Sequence, residues 1–208
     1  MGDLGADVPA WRARVATLPA LRAELLAMRD EDLRVRAELA ADGSLFDGYH
    51  PAMEAVHRRN AERLRALVAA HGWPVRSRAG DDGVEAAWLV VQHAIGEPDF
   101  LRESLARIRD AVARGEAPAW QAAMLEDRIA VFEGRPQRYG TQLEHDADGW
   151  PRPCATEDVE TLDERRRAVG LEPMAERLAR AEREPPPADP GRFARDYAAW
   201  LRRTGWRR

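Results

Sequence analysis

The sequence predicts a mainly α-helical protein, a single-domain helical bundle of five or more helices with a long ordered loop and a C-terminal helical tail. Three observations carry that expectation. Apolar residues recur at helical spacing from Pro19 to Gly134, prolines and glycines divide the pattern into helix-length pieces, and one piece is apolar nearly all round, as a central helix should be.

The elements follow in order. Leu21, Leu25, Met28, Val35 and Leu39 share a face after Pro19, and Gly43 ends the run. A second helix begins at Pro51, carries Met53, Val56, Leu64 and Leu67, and stops at Gly72-Trp73-Pro74; residues 75–83 read as a turn. From 84 to 95 the residues Val84, Ala86, Ala87, Trp88, Leu89, Val90 and Val91 leave no polar face, which favours a covered helix over a strand. Pro98 opens a helix through Phe100, Leu101, Leu105, Ile108 and Val112, and Pro118 opens another that ends at Gly134. Between 135 and 153 periodicity gives way to Gly, Pro, Asp and aromatic residues, an extended ordered loop with a short hairpin around Asp148-Gly149. Short helices are expected over 157–169 and 173–183. Pro185-Pro186-Pro187 reads as a stiff linker, and Phe193, Tyr197, Trp200 and Leu201 as an amphipathic helix with Trp206 behind it. The chain thus divides into a helical domain, 1–183, and a Pro-rich linker with a C-terminal helix, 184–208, able to clamp the body or a protein partner, including a second copy of itself.

Composition narrows the function classes. With 208 residues, 45% hydrophobic and 33% charged, the chain can bury one sizeable core, and a net charge of -4 gives no reason to expect nucleic acid or an anionic membrane. No apolar run approaches the roughly 20 residues of a membrane span. Asp3 and Asp7 precede any apolar stretch, unlike a signal peptide, so the expected location is cytoplasmic. Cys154 is the lone cysteine, which excludes an internal disulfide, an Fe–S cluster and a Cys-rich zinc site. Every one of the 32 basic residues is arginine, so Schiff-base chemistry, a pyridoxal phosphate (PLP) linkage and a Walker-type phosphate loop are excluded as well.

Polar residues fall where apolar ones are expected. At 100° per residue, Asp32 lies within the stripe of the first helix, His57 and Asn60 lie on that of the second, with His71 at its end, and Asp127 lies on the stripe of Trp120, Met124 and Val131. His93, beside Gln92, ends the apolar helix. An inward carboxylate must be paired, ligated or working. If these groups converge, they form a carboxylate–imidazole acid/base set or a nitrogen and oxygen site for a divalent metal, with Asp32, His57, His93 and Asp127 as candidate ligands. The structural alternatives are Asp32 paired with Arg36, Asp127 paired with Arg128, and His93 donating to a carbonyl. His50 and His145 fall in loops.

The motifs Asp32 with Arg36, Gly43-Ser-Leu-Phe-Asp-Gly-Tyr-His-Pro51, Asn60, Gly72-Trp-Pro74, Ala87-Trp-Leu-Val-Val-Gln-His93, Leu125-Glu-Asp-Arg-Ile129, Gly134-Arg-Pro-Gln-Arg-Tyr-Gly-Thr-Gln142 and Gly170-Leu171 occur in one order. Over roughly residues 20–182 the chain resembles a bacterial family catalogued as domain of unknown function 6624. The resemblance implies an α-helical domain and no particular activity.

The leading expectation is an enzyme or small-molecule binder, with hydrolysis fitting the groups best. His93, Asp127 and Asp32 would be catalytic, with Asn60, Gln92, Arg128, Gln137, Tyr139, Thr141 and Gln142 binding the substrate. The Tyr139–Gln142 stretch would cover the pocket, glycine allowing close approach. The alternative is a non-enzymatic immunity or regulatory protein whose inward groups are structural and whose tail tryptophans dock on another chain.

Overall fold

The computed structural model describes residues 18–46, 48–146, 148–181 and 190–208, and its fold is mainly α. The helices among these residues are α1 (Pro19–Ala41), α2 (Pro51–His71), α3 (Arg76–His93), α4 (Pro98–Ala113), α5 (Ala119–Phe132), α6 (Leu162–Ala168), α7 (Met174–Ala179) and α8 (Pro190–Arg203), with strands β1 (Leu143–His145) and β2 (Pro151–Pro153) between α5 and α6. The proline-rich stretch of the expected linker lies outside the described residues.

Proline in the first turn starts α1, α2 and α4, where the missing N–H has no helical partner to lose. The His50 imidazole adds a cap by accepting from the Ala52 N–H at 3.1 Å. α1 packs on α2 and α3, and α4 packs on α5. Leu21, Leu25 and Met28 of α1 meet Ala61, Leu64 and Leu67 of α2 and Ala87, Val90 and Val91 of α3 in the main core. α3 is covered on nearly every side, as its composition predicts.

The expected turn over 75–83 is instead helical from Arg76, broken only at Gly80 (φ 73°, ψ 170°), a backbone shape that glycine adopts without strain. Asp82 then caps the resumed helix through the Gly83 N–H at 2.9 Å and pairs with Arg22 of α1. On α5 the deep residues are Gln121, Ala123, Leu125, Asp127, Ile129 and Ala130, whereas Trp120, Met124 and Val131 are only half-buried.

The expected hairpin is present: β1 and β2 pair antiparallel with Glu144 opposite Arg152. α8 docks on this chain's own body. Trp200, Leu201 and Trp206 join the main core, the Trp206 indole N–H donates to the Ile95 carbonyl at 2.7 Å, and Arg207 donates to the carbonyls of Phe132 and Val131. The two tail tryptophans are therefore used within the fold.

Candidate metal and acid–base site

Asp32 sits in the buried stripe of α1 with 0% exposure, His57 is buried on α2, and His93 is the last residue of α3. The three helices pack together, so the three side chains meet. His93 Nδ1 lies 2.8 Å from Asp32 Oδ1, and His57 Nε2 lies 3.2 Å from Asp32 Oδ2. The two imidazole centroids are 5.3 Å apart. One ligand atom from each of Asp32, His57 and His93 falls within 4.8 Å of the others. With its side chain 25% exposed, His93 is the member that reaches solvent.

Tyr49 completes the group from the turn before α2. Its hydroxyl lies 2.8 Å from His57 Nδ1 and its ring stacks on that imidazole. When the hydroxyl donates to Nδ1, Nε2 carries the His57 proton toward Asp32; when Nε2 is ligated, Nδ1–H donates to the hydroxyl instead. Such a partner fixes both the tautomer and the orientation of a ligating histidine.

Burial alone would raise the Asp32 carboxyl, but the adjacent His57 and His93 outweigh it and hold it at about 2. Burial lowers His93 below its ordinary value, with Asp32 opposing and His57 and Arg128 adding to the lowering. Burial likewise raises the Tyr49 hydroxyl, so it acts as a neutral hydrogen-bonding group. A neutral imidazole with solvent access, next to an ionised carboxylate, is the state needed both for proton acceptance and for metal ligation.

The buried side-chain atoms without a hydrogen-bond partner, among the described residues, are Asp32 Oδ2, His57 Nε2, both amide atoms of Gln92 and Arg128 Nε. His57 approaches Asp32 without the alignment of a hydrogen bond. Asp32 and His57 belong to the cluster, and Gln92 adjoins His93 in sequence. Arg128 Nη1 donates to the Gln92 carbonyl at 3.0 Å, which ties α5 to the end of α3. Buried polar atoms are normally satisfied, so their concentration here distinguishes the region from the rest of the fold.

Other sequence candidates have different work. Asn60 donates to the Met28 carbonyl at 3.2 Å and ties α2 to α1. Asp127 accepts from the backbone N–H groups of Arg138, Tyr139 and Thr141 and so anchors the loop after α5; burial raises its carboxyl while these N–H groups pull the other way. Gln137 spans the same loop, donating to the carbonyls of Gln142 and Cys154 and accepting from the Gln142 N–H. The Gln142 amide donates to the Thr141 hydroxyl. The polar groups of Gln137, Thr141 and Gln142 thus serve the loop's own architecture, and Tyr139 gives its N–H to Asp127. His71 is exposed, away from the cluster.

Asp32 is partnered by histidines in place of Arg36, Asp127 by loop N–H groups in place of Arg128, and His93 by a carboxylate in place of a carbonyl. Two residues were absent from the sequence candidates. Tyr49 had a signal, an aromatic hydroxyl directly ahead of the second helix. Buried Arg166 had none: it donates to the Tyr139 and Glu172 carbonyls and pins the loop from below.

Two surface grooves lie away from the cluster, one of about 430 Å³ by Trp73, Arg78, Arg107 and Arg114 and one of about 310 Å³ by Arg65, Phe100 and Ser104. Neither gathers a set of buried titratable groups, so the chemistry points to the cluster and not to these grooves.

No helix is long and apolar enough to cross a membrane among the described residues. No curated protein and no solved structure matches the chain. The model of a family of unknown function, DUF6624, matches residues 19–184, a span that contains Asp32, Tyr49, His57, Gln92, His93 and Arg128, and the chain belongs to that family.

Proposed function

We propose that this chain is a metal-dependent hydrolase of a small molecule, with Asp32, His57 and His93 as the ligands of one divalent cation. The observation that carries the reading is the convergence of two imidazoles and one carboxylate from three helices, with ligand atoms within 4.8 Å of one another. Three protein ligands of this kind leave coordination positions for water and substrate, and the mixed nitrogen and oxygen set suits zinc or a neighbouring first-row ion. A bound cation would also satisfy the unpartnered Asp32 Oδ2 and His57 Nε2.

A cation there supplies a Lewis acid and lowers the pKa of a bound water. The chain's own residues do the rest. Tyr49 orients His57, buried Asp32 stays ionised, and His93, the member open to solvent, marks the side from which water and substrate would reach the cluster.

The test is a titration of chelator-treated protein with Zn²⁺, Mn²⁺ and Fe²⁺, followed by assays with p-nitrophenyl acetate and p-nitrophenyl phosphate. One equivalent of Zn²⁺ or Mn²⁺ with metal-dependent ester cleavage, both lost in His57→Ala, supports the reading. Selective uptake of Fe²⁺ without hydrolysis would redirect it to redox chemistry, and no uptake of any of the three ions would end it.

A further inference from the structure

Arg128 lies beside the proposed metal ligands and has no part in the reaction outlined above. Its Nη1 donates to the Gln92 carbonyl, its Nε is buried and unpartnered, and it forms no ion pair with an acid among the described residues. The charged or ionisable groups that act on it are Tyr197 of α8 and Arg36 of α1, one turn beyond Asp32. Burial, with Arg36 adding to it, pulls the guanidinium down to about 10 against Tyr197, so it remains a cation at neutral pH.

A cation in this position is costly unless something neutralises it. Other arginines of the fold show the ordinary solutions. Arg22 pairs with Asp82, Arg102 pairs with Glu133, and Arg166, more deeply buried than Arg128, directs its Nε and one Nη at carbonyls. Among the described residues Arg128 has neither an acid nor a second carbonyl. Next to it in the structure, Gln92 keeps both amide atoms buried and unpartnered at 3% exposure. Asp32, the acid of the neighbouring cluster, is hydrogen-bonded to His93 and lies 3.2 Å from His57 Nε2. The environment therefore holds a fixed positive charge and spare hydrogen-bonding capacity close to His93, on which Arg128 acts electrostatically. A planar guanidinium held on the Gln92 carbonyl, with the amide of the same residue unpartnered, is suited to an oxyanion.

We propose that Arg128, assisted by the Gln92 amide, binds an oxyanion of the substrate, a phosphate or carboxylate group, beside the Asp32–His57–His93 cluster. The site then acts on small anionic molecules, an assignment that rests on the functional reading above.

The experiment is calorimetric titration of chelator-treated full-length protein with inorganic phosphate and, separately, acetate, repeated with Zn²⁺ present. The expected result is one-to-one binding of at least one anion by wild type. Arg128→Met should weaken it at least about tenfold, the loss of one charge-assisted contact. This variant should keep the wild-type Zn²⁺ affinity and helical content, because the guanidinium of half-buried Arg128 holds a single backbone carbonyl among the described residues. The stronger of the two anions identifies which oxyanion the site prefers. Should Arg128→Met fail to fold, Gln92→Leu decides, with severalfold weaker anion binding expected. Absence of phosphate and acetate binding in both the chelated and the zinc-loaded protein, or unchanged anion affinity in the folded variant, would overturn the assignment. Anion binding that depends on Arg128 in a protein that takes up no metal would remove the cation and leave the anion subsite standing; zinc binding without anion binding would do the reverse.

Discussion

Replacing Asp32 by Asn separates the charge of the cluster from its shape. The side chain is 0% exposed and lies 2.8 Å from His93 Nδ1 and 3.2 Å from His57 Nε2. Asparagine keeps an oxygen that can accept from His93 but removes the charge and directs an NH₂ at one imidazole. The carboxyl is held at about 2 against an ordinary 3.8, so its surroundings favour the ionised form by ~2 kcal/mol at about 1.4 kcal/mol per unit. That sets the expected loss of stability for Asp32→Asn at ~2 kcal/mol near neutral pH, measured by urea unfolding. The cost stays moderate because asparagine keeps an oxygen for the His93 contact. The loss of a metal ligand should be far larger on the binding side: Zn²⁺ affinity should fall at least ~100-fold, beyond what loss of an outer partner causes. A variant that unfolds ~2 kcal/mol more easily yet binds Zn²⁺ like wild type would refute the argument, since Asp32 would then be only a structural partner of the histidines.

Four further outcomes follow from the same geometry. In chelator-treated protein, stability should be flat from pH 7 to about 8.5 and decline on acidification. His93 is held below 6.5, so its contribution is complete above 6.5 and shrinks as pH falls; that of Asp32 is complete above 3.8 and is lost through about 2. A urea midpoint that rises between pH 7 and 5 would contradict the sign for His93, and one that rises between pH 4 and 2 the sign for Asp32. Asp127→Ala should cost ~3 kcal/mol or more by leaving three backbone N–H groups unpaired, and hydrogen exchange should speed up at 138–141 while α1 to α3 stay protected. Gly140→Ala should cost ~1–3 kcal/mol in thermal unfolding, since Gly140 sits at φ 65° and a Cβ there would run into Met174 Cε. Trp206→Ala should cost ~3–5 kcal/mol, because the indole is buried in the main core and bonded to the Ile95 carbonyl.

The helices were legible because proline and glycine mark their ends and apolar spacing marks their faces. The miss at 75–83 has a local cause: Gly80 and Gly83 sit seven and four residues before Ala87, where glycine suggests a turn. Gly83 instead makes room for Ala79, whose Cβ would lie 2.9 Å from a Cβ at position 83. On α5 the stripe was drawn through Trp120, Met124 and Val131, which are half-buried, because a helix enclosed by α3, α4 and the loop lacks a single inward face.

The site was legible in part. Asp32, His57 and His93 were marked by polarity at inward positions, and geometry brings these three together. The same signal marked Asn60 and Asp127, which hold backbone atoms of α1 and of the loop. Inward polarity alone does not distinguish a ligand from a brace; only the partner does. The loop after α5 shows the same limit, since the Gln137 amide donates to its carbonyls and the Gln142 amide to the Thr141 hydroxyl. Arg128 was marked in the sequence as a substrate-binding candidate and as a neighbour of Asp127, and its unpaired guanidinium became visible with the surrounding helices.

The central claim is that Asp32, His57 and His93 hold a divalent cation. Native mass spectrometry with elemental analysis, on full-length protein purified without chelator or affinity tag and then on the chelated protein reloaded with Zn²⁺, tests it most directly. The account predicts one equivalent of metal per chain after reloading, lost in His57→Ala and in His93→Ala while both variants keep wild-type helical content. A chain that takes up no metal under either condition, or that keeps its full equivalent in both variants, would contradict it.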